Sequence, residues 1–168
     1  MKLNASLQAR LAFFVRVVGK ETRHLQDTDG RLFSEISCAE DLIGIDDNPL
    51  LSERLEAFVG RFGRLQDSLA DKFLPALLDA YAEPRAAALE NLDRAEKLGW
   101  VDSADDWIEA RRRRNLMVHE YIEDRVILFD ALMAGHRFVP TLIQTSSRFS
   151  AQAGRLIDAE GAARGTHG

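Results

Sequence analysis

A single cysteine, Cys38, excludes an internal disulfide framework and a cysteine-based zinc cluster, because both need several sulfurs. Prolines number only four, so little interrupts a helical chain. No apolar run has the length of a signal core or a membrane span, and the expectation is a soluble, cytoplasmic protein with no membrane contact. Positive charge is not in excess: 22 Lys+Arg against 27 Asp+Glu leave a net charge of -5. That balance argues against a chain built to wrap nucleic acid or coat an acidic membrane, so any nucleic-acid site has to be local. What 168 residues at 46% hydrophobic and 29% charged provide is enough for one ordinary core. A single helical domain over 1–160 and a disordered tail over 161–168 are expected.

Periodicity points to helix almost throughout. Leu3, Leu7, Leu11, Phe14 and Val18 recur at steps of three and four, which predicts a first helix to about Gln26. The stretch Asp27 to Pro49 collects aspartates, glycines and Asn48 and reads as a long connection with at most a short helix. From Ser52 as cap, Leu55, Phe58, Phe62, Leu65, Leu69, Phe73 and Leu77 mark a long second helix that Pro75 should bend. Ala87 to Leu98 predicts a short helix ended by Gly99. Ser103, with Asp106 three residues on, opens the next one through Arg111 to Val118. A last helix starts near Asp124, with Val126, Phe129, Met133 and Ile143 on one side and Pro140 as a kink. The fold class is therefore all-α, an up-and-down four-helix-type bundle with a short additional helix.

Chemistry concentrates in Arg111, Arg112, Arg113, Arg114, Asn115, Leu116, Met117, Val118, His119, Glu120 and Tyr121. Successive helical residues turn by about 100°, so four arginines in a row cannot share one face. Some pair with Asp105, Asp106 or Glu109 one turn earlier on a solvated surface, in the favourable acid-before-base order. The alternative is that guanidinium groups and an imidazole converge on a phosphodiester. Arginine matches phosphate oxygens with a planar fork, and histidine moves protons near neutral pH. Together they suffice for RNA cleavage without a metal, since RNA carries its own 2′-hydroxyl nucleophile. Helix geometry alone selects Arg112, Asn115 and His119 as one stripe, whereas Arg114 lies about 140° away from His119. Other groupings are weaker. Glu21 and His24 are a lone Glu-x-x-His, a di-iron bundle needing two. His119, Glu120 and Glu123 supply half a zinc helix. His136, on the apolar side of the last helix, reads as a satisfied core histidine.

Arg114 to Tyr121 reads Arg-x-x-x-x-His-x-Tyr, with Asn115 as the polar residue after the arginine. Together with Arg64-Leu65-Gln66-Asp67, Lys72, Pro75, Ala95-Glu96-Lys97-Leu98-Gly99-Trp100 and Ser103-Ala104-Asp105-Asp106-Trp107, this segment resembles the HEPN superfamily, specifically the HepT-like toxins and nucleotidyltransferase substrate-binding proteins. The likeness covers about Arg54 to Tyr121. It implies a helical bundle that dimerises around a cleft flanked by two motif helices and acts as a metal-independent endoribonuclease, without cofactor, on tRNA or mRNA. It further implies a partner, a minimal nucleotidyltransferase antitoxin that adds AMP to the motif tyrosine. Carried over by position, Arg114 and His119 are the catalytic pair, Asn115 supports them and Tyr121 is modified; Arg111 and Arg112, from the arginine run itself, are the further candidates for RNA contact. A non-catalytic partner subunit of the nucleotidyltransferase is the alternative the resemblance allows. Two departures are visible: Ile122 stands where a proline often follows the tyrosine, and Arg112 and Arg113 make the approach more basic.

Overall fold

The computed structural model describes residues 3–119 and 123–165, with side chains through Ala163. Among the described residues there is no strand, and the fold is an all-α bundle. Its helices are α1 (Ala5–Phe33), α2 (Pro49–Asp67), α3 (Leu74–Ala80), α4 (Ala88–Lys97), α5 (Ala104–His119) and α6 (Arg125–Gly165). Two short 3-10 turns, Ala39–Leu42 and Ile45–Asp47, lie between α1 and α2.

Several boundaries move from their expected places, each for a local reason. Helix α1 continues past Gln26 to Phe33 because its aspartates find partners from within a helix, Asp27 on Arg31 and Asp29 on His136 of α6. Arg31 pairs with Asp27 at 3.3 Å one turn before it, and Leu25 and Leu32 are fully buried. Helix α2 starts at Pro49 rather than after Ser52. Asn48 is its cap, with Oδ1 accepting the Leu51 N–H at 3.2 Å, and proline suits the first helical position because it has no N–H to satisfy. Pro75 does interrupt the long second helix, by way of a π-helical stretch over Ser68–Phe73. There the Leu74 N–H donates five residues back to Leu69, a register that accommodates the donor missing at Pro75. Gly99, at φ 72°, ends α4 in the left-handed conformation as expected.

Helix α6 begins after Asp124, whose Oδ1 accepts the N–H groups of Val126 and Ile127 at 2.9 and 3.1 Å. Its buried face is Leu128, Ala131, Leu132, Val139, Leu142 and Phe149. The expected stripe is thus rotated: Val126 is half exposed, while Phe129, Met133 and Ile143 sit at the edge of the packed face. Helix continues through Pro140 and runs to Gly165, so the tail expected to be disordered from Gly161 is helical as far as the described residues reach. α6 is one helix that passes a test of membrane-span length and composition, as core helices of soluble proteins also do. By length and composition it is apolar enough to cross a membrane, with an 18-residue window of mean hydropathy 1.4.

Where one domain is expected over 1–160, the chain divides into two compact units that share α1 and α6. The first holds α1 up to Lys20, Asp67–Ala104 and α6 from Ile143. Phe73 is its centre, stacked on Phe14 at 5.7 Å and edge-on to Phe149 at 5.6 Å. Tyr81 packs against Trp100, and its hydroxyl donates to Gln152 Oε1 at 2.8 Å; burial pushes the phenol pKa up. Near the end of α6, Glu160 accepts the Leu3 N–H at 2.9 Å.

The second unit holds Glu21–Gln66 and Asp105–Leu142. An aromatic row runs through it: Phe33 against Phe58, Phe58 against Phe62, and Phe138 between Phe62 and Trp107. At its edge, Asp41 Oδ2 accepts the backbone N–H groups of Ser37 and Cys38 at 2.7 and 3.1 Å, contacts that hold its carboxyl below the usual range. Removing the α6 cap with Asp124→Ala is expected to lower stability by about 1 kcal/mol in urea denaturation, and Asp124→Asn, which keeps the acceptor, by much less.

Candidate functional site

Helix α5 carries every basic residue of the motif, and its rotation decides what each one does. Ala104, Trp107, Ala110 and Met117 are buried, a stripe at steps of three and four. Arg114 belongs to the same stripe. Its guanidinium Nη1 lies 3.5 Å from the Gly63 carbonyl oxygen of α2, and its Cδ occupies the space a side chain at Gly63 would need, 2.8 Å from where a Cβ would stand. Glycine at 63 is therefore the seat of Arg114. Gly135 plays the same part for Met117, whose Cε would meet a Cβ there at 2.4 Å. Together the two glycines let α5 settle close against α2 and α6.

With that face turned in, Arg112, Asn115 and His119 are exposed on the opposite side. The three share a stripe, as their spacing predicts. Glu109 gathers two of the arginines: its carboxylate is 3.2 Å from Arg112 Nε and 2.7 Å from Arg113 Nε. These are solvated pairs at i,i+3 and i,i+4, contributing a few tenths of a kcal/mol each, and they hold the guanidinium groups near the helix surface more than they stabilise it. Arg111 is half-buried. α5 stays α-helical to His119, so the turn of about 140° between Arg114 and His119 is not relaxed by any loosening of the helix. Arg114 and His119 accordingly diverge on one chain, Arg114 toward α2 and His119 toward solvent. Tyr121, the expected modification site, lies outside the described residues, as does Glu120.

A groove of about 310 Å³ lies where α2 and α5 meet, lined by Leu55, Val59, Met117 and Val118, with Glu56 as its one charged residue. Another histidine of this unit, His136, is paired. His136 Nδ1 is 2.7 Å from Asp29 Oδ1, and its ring stacks on Phe33 at 4.1 Å, the satisfied setting expected of it. Among the described residues, no group of three or more His, Cys, Asp and Glu is placed to hold a metal ion.

Sequence reasoning missed Gly63. The signal was present, since Gly63 stands inside a long helix next to its apolar stripe, where glycine can mark close approach of a neighbour. Only the three-dimensional packing shows that the neighbour is an arginine. No family model, curated protein or solved structure matches the chain.

The two glycines of α2 should respond oppositely to alanine. A Cβ at Gly60 meets nothing within 4 Å, so Gly60→Ala is expected to raise stability by about 0.5–1 kcal/mol through helix propensity. Gly63→Ala loses that gain by displacing Arg114, which thermal melting of the two variants will show as separate shifts in Tm.

Proposed function

We propose that the chain is a HEPN-type toxin, a metal-independent endoribonuclease whose site forms in a cleft between two copies. The observation that carries this reading is the exposure of His119 at the end of α5 with Asn115 one turn before it. In it, the His119 imidazole takes the proton of a ribose 2′-hydroxyl, whose oxygen attacks the adjacent phosphorus. The 5′-oxygen leaves and takes up a proton, yielding a 2′,3′-cyclic phosphate. Arg114 and His119 are the catalytic pair implied by resemblance, with Asn115 supporting and Arg111 and Arg112 holding flanking phosphates.

Divergence of Arg114 and His119 on one helix is the reason for invoking a second copy: Arg114 of one chain would serve the phosphate at His119 of the other. Apolar side chains are available for such a contact. Ile108 is 41% exposed on the same stripe as Arg112, and Val118, beside His119, is 57% exposed. Neutralisation follows from a minimal nucleotidyltransferase that attaches AMP to Tyr121, two residues from His119, where a bulky anion would repel RNA.

A second reading is a non-catalytic partner subunit that binds the nucleotidyltransferase. The engagement of Arg112 and Arg113 by Glu109 and of Arg114 by Gly63 favours it, since these arginines have structural work.

The test is cleavage of total RNA and tRNA by the purified chain in EDTA, with Tyr121 checked by mass spectrometry. Wild type is expected to leave cyclic-phosphate ends, His119→Ala to lose at least about a hundredfold in rate, and Arg114→Ala to lose comparably. Cleavage that survives Arg114→Ala and fails with Arg112→Ala would move the phosphate contact to the exposed stripe. A dimer with unmodified Tyr121 that cuts nothing would favour the partner subunit.

A further inference from the structure

On the flank of α5 away from Gly63, Arg113 faces a second cavity, of about 410 Å³, within the same compact unit. Its other wall is α6, which contributes Phe129, Met133 and Arg137 at successive steps of four, together with Asp130; Ser37 completes it. The volume lies in the range of small-ligand sites, roughly 300–1,000 Å³.

Arg113 is held from behind: Glu109 takes its Nε at 2.7 Å, which fixes the plane of a guanidinium that is 35% exposed. Arg137 makes no hydrogen bond or ion pair with another described residue. Glu109 offsets Arg113, so the cation of this pocket left without an ion pair among the described residues is Arg137. Phe129 and Met133, both half-buried, add a phenyl ring and a thioether to the same wall. Asp130 is an acceptor with no partner among the described residues.

A ligand that satisfies all of these has an anionic group, a flat aromatic ring beside it, and a donor on the ring. We infer that this pocket seats one nucleotide of single-stranded RNA: its phosphate between Arg113 and Arg137, its base on Phe129 and Met133, and an amino group of the base on Asp130. The inference rests on the RNA reading of the Arg112–His119 stripe and extends it. Arg113 points about 120° round α5 from His119 and lies on the order of 9 Å from it along the axis. The pocket therefore holds a nucleotide that flanks the reacting phosphate, and its residues bind and select and do not catalyse. Selection follows from the geometry. A base must leave its stack to enter, so single strands are preferred over duplexes, and a base with an amino group is preferred over uracil.

The test measures fluorescence anisotropy of the full chain with labelled 2′-O-methyl dodecamers of adenine or uracil, which lack the nucleophile and so separate binding from cleavage. Wild type is expected to bind the adenine strand more tightly than the uracil strand. Arg137→Gln should weaken adenine-strand binding about tenfold or more and flatten its salt dependence by about one unit of slope. Phe129→Leu should weaken it at least about fivefold, and Asp130→Ala, which removes the acceptor, should reduce the preference for adenine. Arg148→Gln, altering an arginine paired with Asp102 in the other unit, should bind as wild type does. Binding by wild type that is unchanged in both Arg137→Gln and Phe129→Leu overturns the pocket and leaves the ribonuclease reading standing. Failure of wild type to bind either strand overturns both. Competition by free AMP as strong as by the strand, at equal nucleotide concentration, overturns the strand assignment in favour of a mononucleotide site.

Discussion

Four consecutive arginines on one helix set a problem of rotation. Whichever face α5 buries, an arginine goes with it, and burying a guanidinium is costly unless its donors are met and its stem is packed. The chain answers by pairing Arg114 with a position that has no side chain. At Gly63 the arginine stem lies against the α2 backbone, and its head reaches the glycine carbonyl. A second glycine, Gly135, receives Met117 one turn further along the same stripe. Trp107, fully buried at the start of that stripe, packs on Phe138 and completes the contact. These three contacts fix the angular setting of α5, and everything that the basic segment does depends on that setting.

From it follows a division of labour among residues that look identical in sequence. Arg114 turns to the packed face, Arg112 to the exposed stripe with Asn115 and His119, and Arg113 to the cavity against α6. Glu109 reaches both Arg112 and Arg113 and keeps them near the helix surface. Two surfaces of different chemistry then lie on either side of one helix. The first presents an imidazole and an amide; the second presents two guanidinium groups and a phenyl ring. A chain with net negative charge is in this way basic along one helix.

Helix α6 shows the same dependence on neighbours. Its sequence is apolar on more than one side, and periodicity alone chooses Val126, Phe129, Met133 and Ile143 as the packed stripe. Asp124 as cap and Gly135 as the seat of Met117 turn the helix so that Leu128, Leu132, Val139 and Leu142 go inward. Phe129 and Met133 are left at the edge, available to line the Arg113–Arg137 cavity. The displaced stripe is thus part of how that cavity comes to have apolar residues in its wall.

Much of the fold was legible in the residues themselves. Recurrence of leucine and phenylalanine at three and four, few prolines and an arginine-rich composition dictate helices, because one helical face can then be buried without leaving polar groups unmet. The turn at Gly99, the interruption before Pro75 and the common stripe of Arg112, Asn115 and His119 follow from local geometry of the same kind. What local geometry leaves open is which way a helix faces when several faces are acceptable. Asp27, Asp29 and Gly30 read as turn formers, yet α1 absorbs them because Leu25 and Leu32 are buried and Arg31 pairs with Asp27. Arg114 reads as one of four equal cations until Gly63, 51 residues away in the chain, gives it a place to lie. Sequence alone determined that these helices exist and which residues lie together on each. Tertiary packing decided which face turns inward, because that choice depends on the shape of side chains from other helices, and above all on where one is missing.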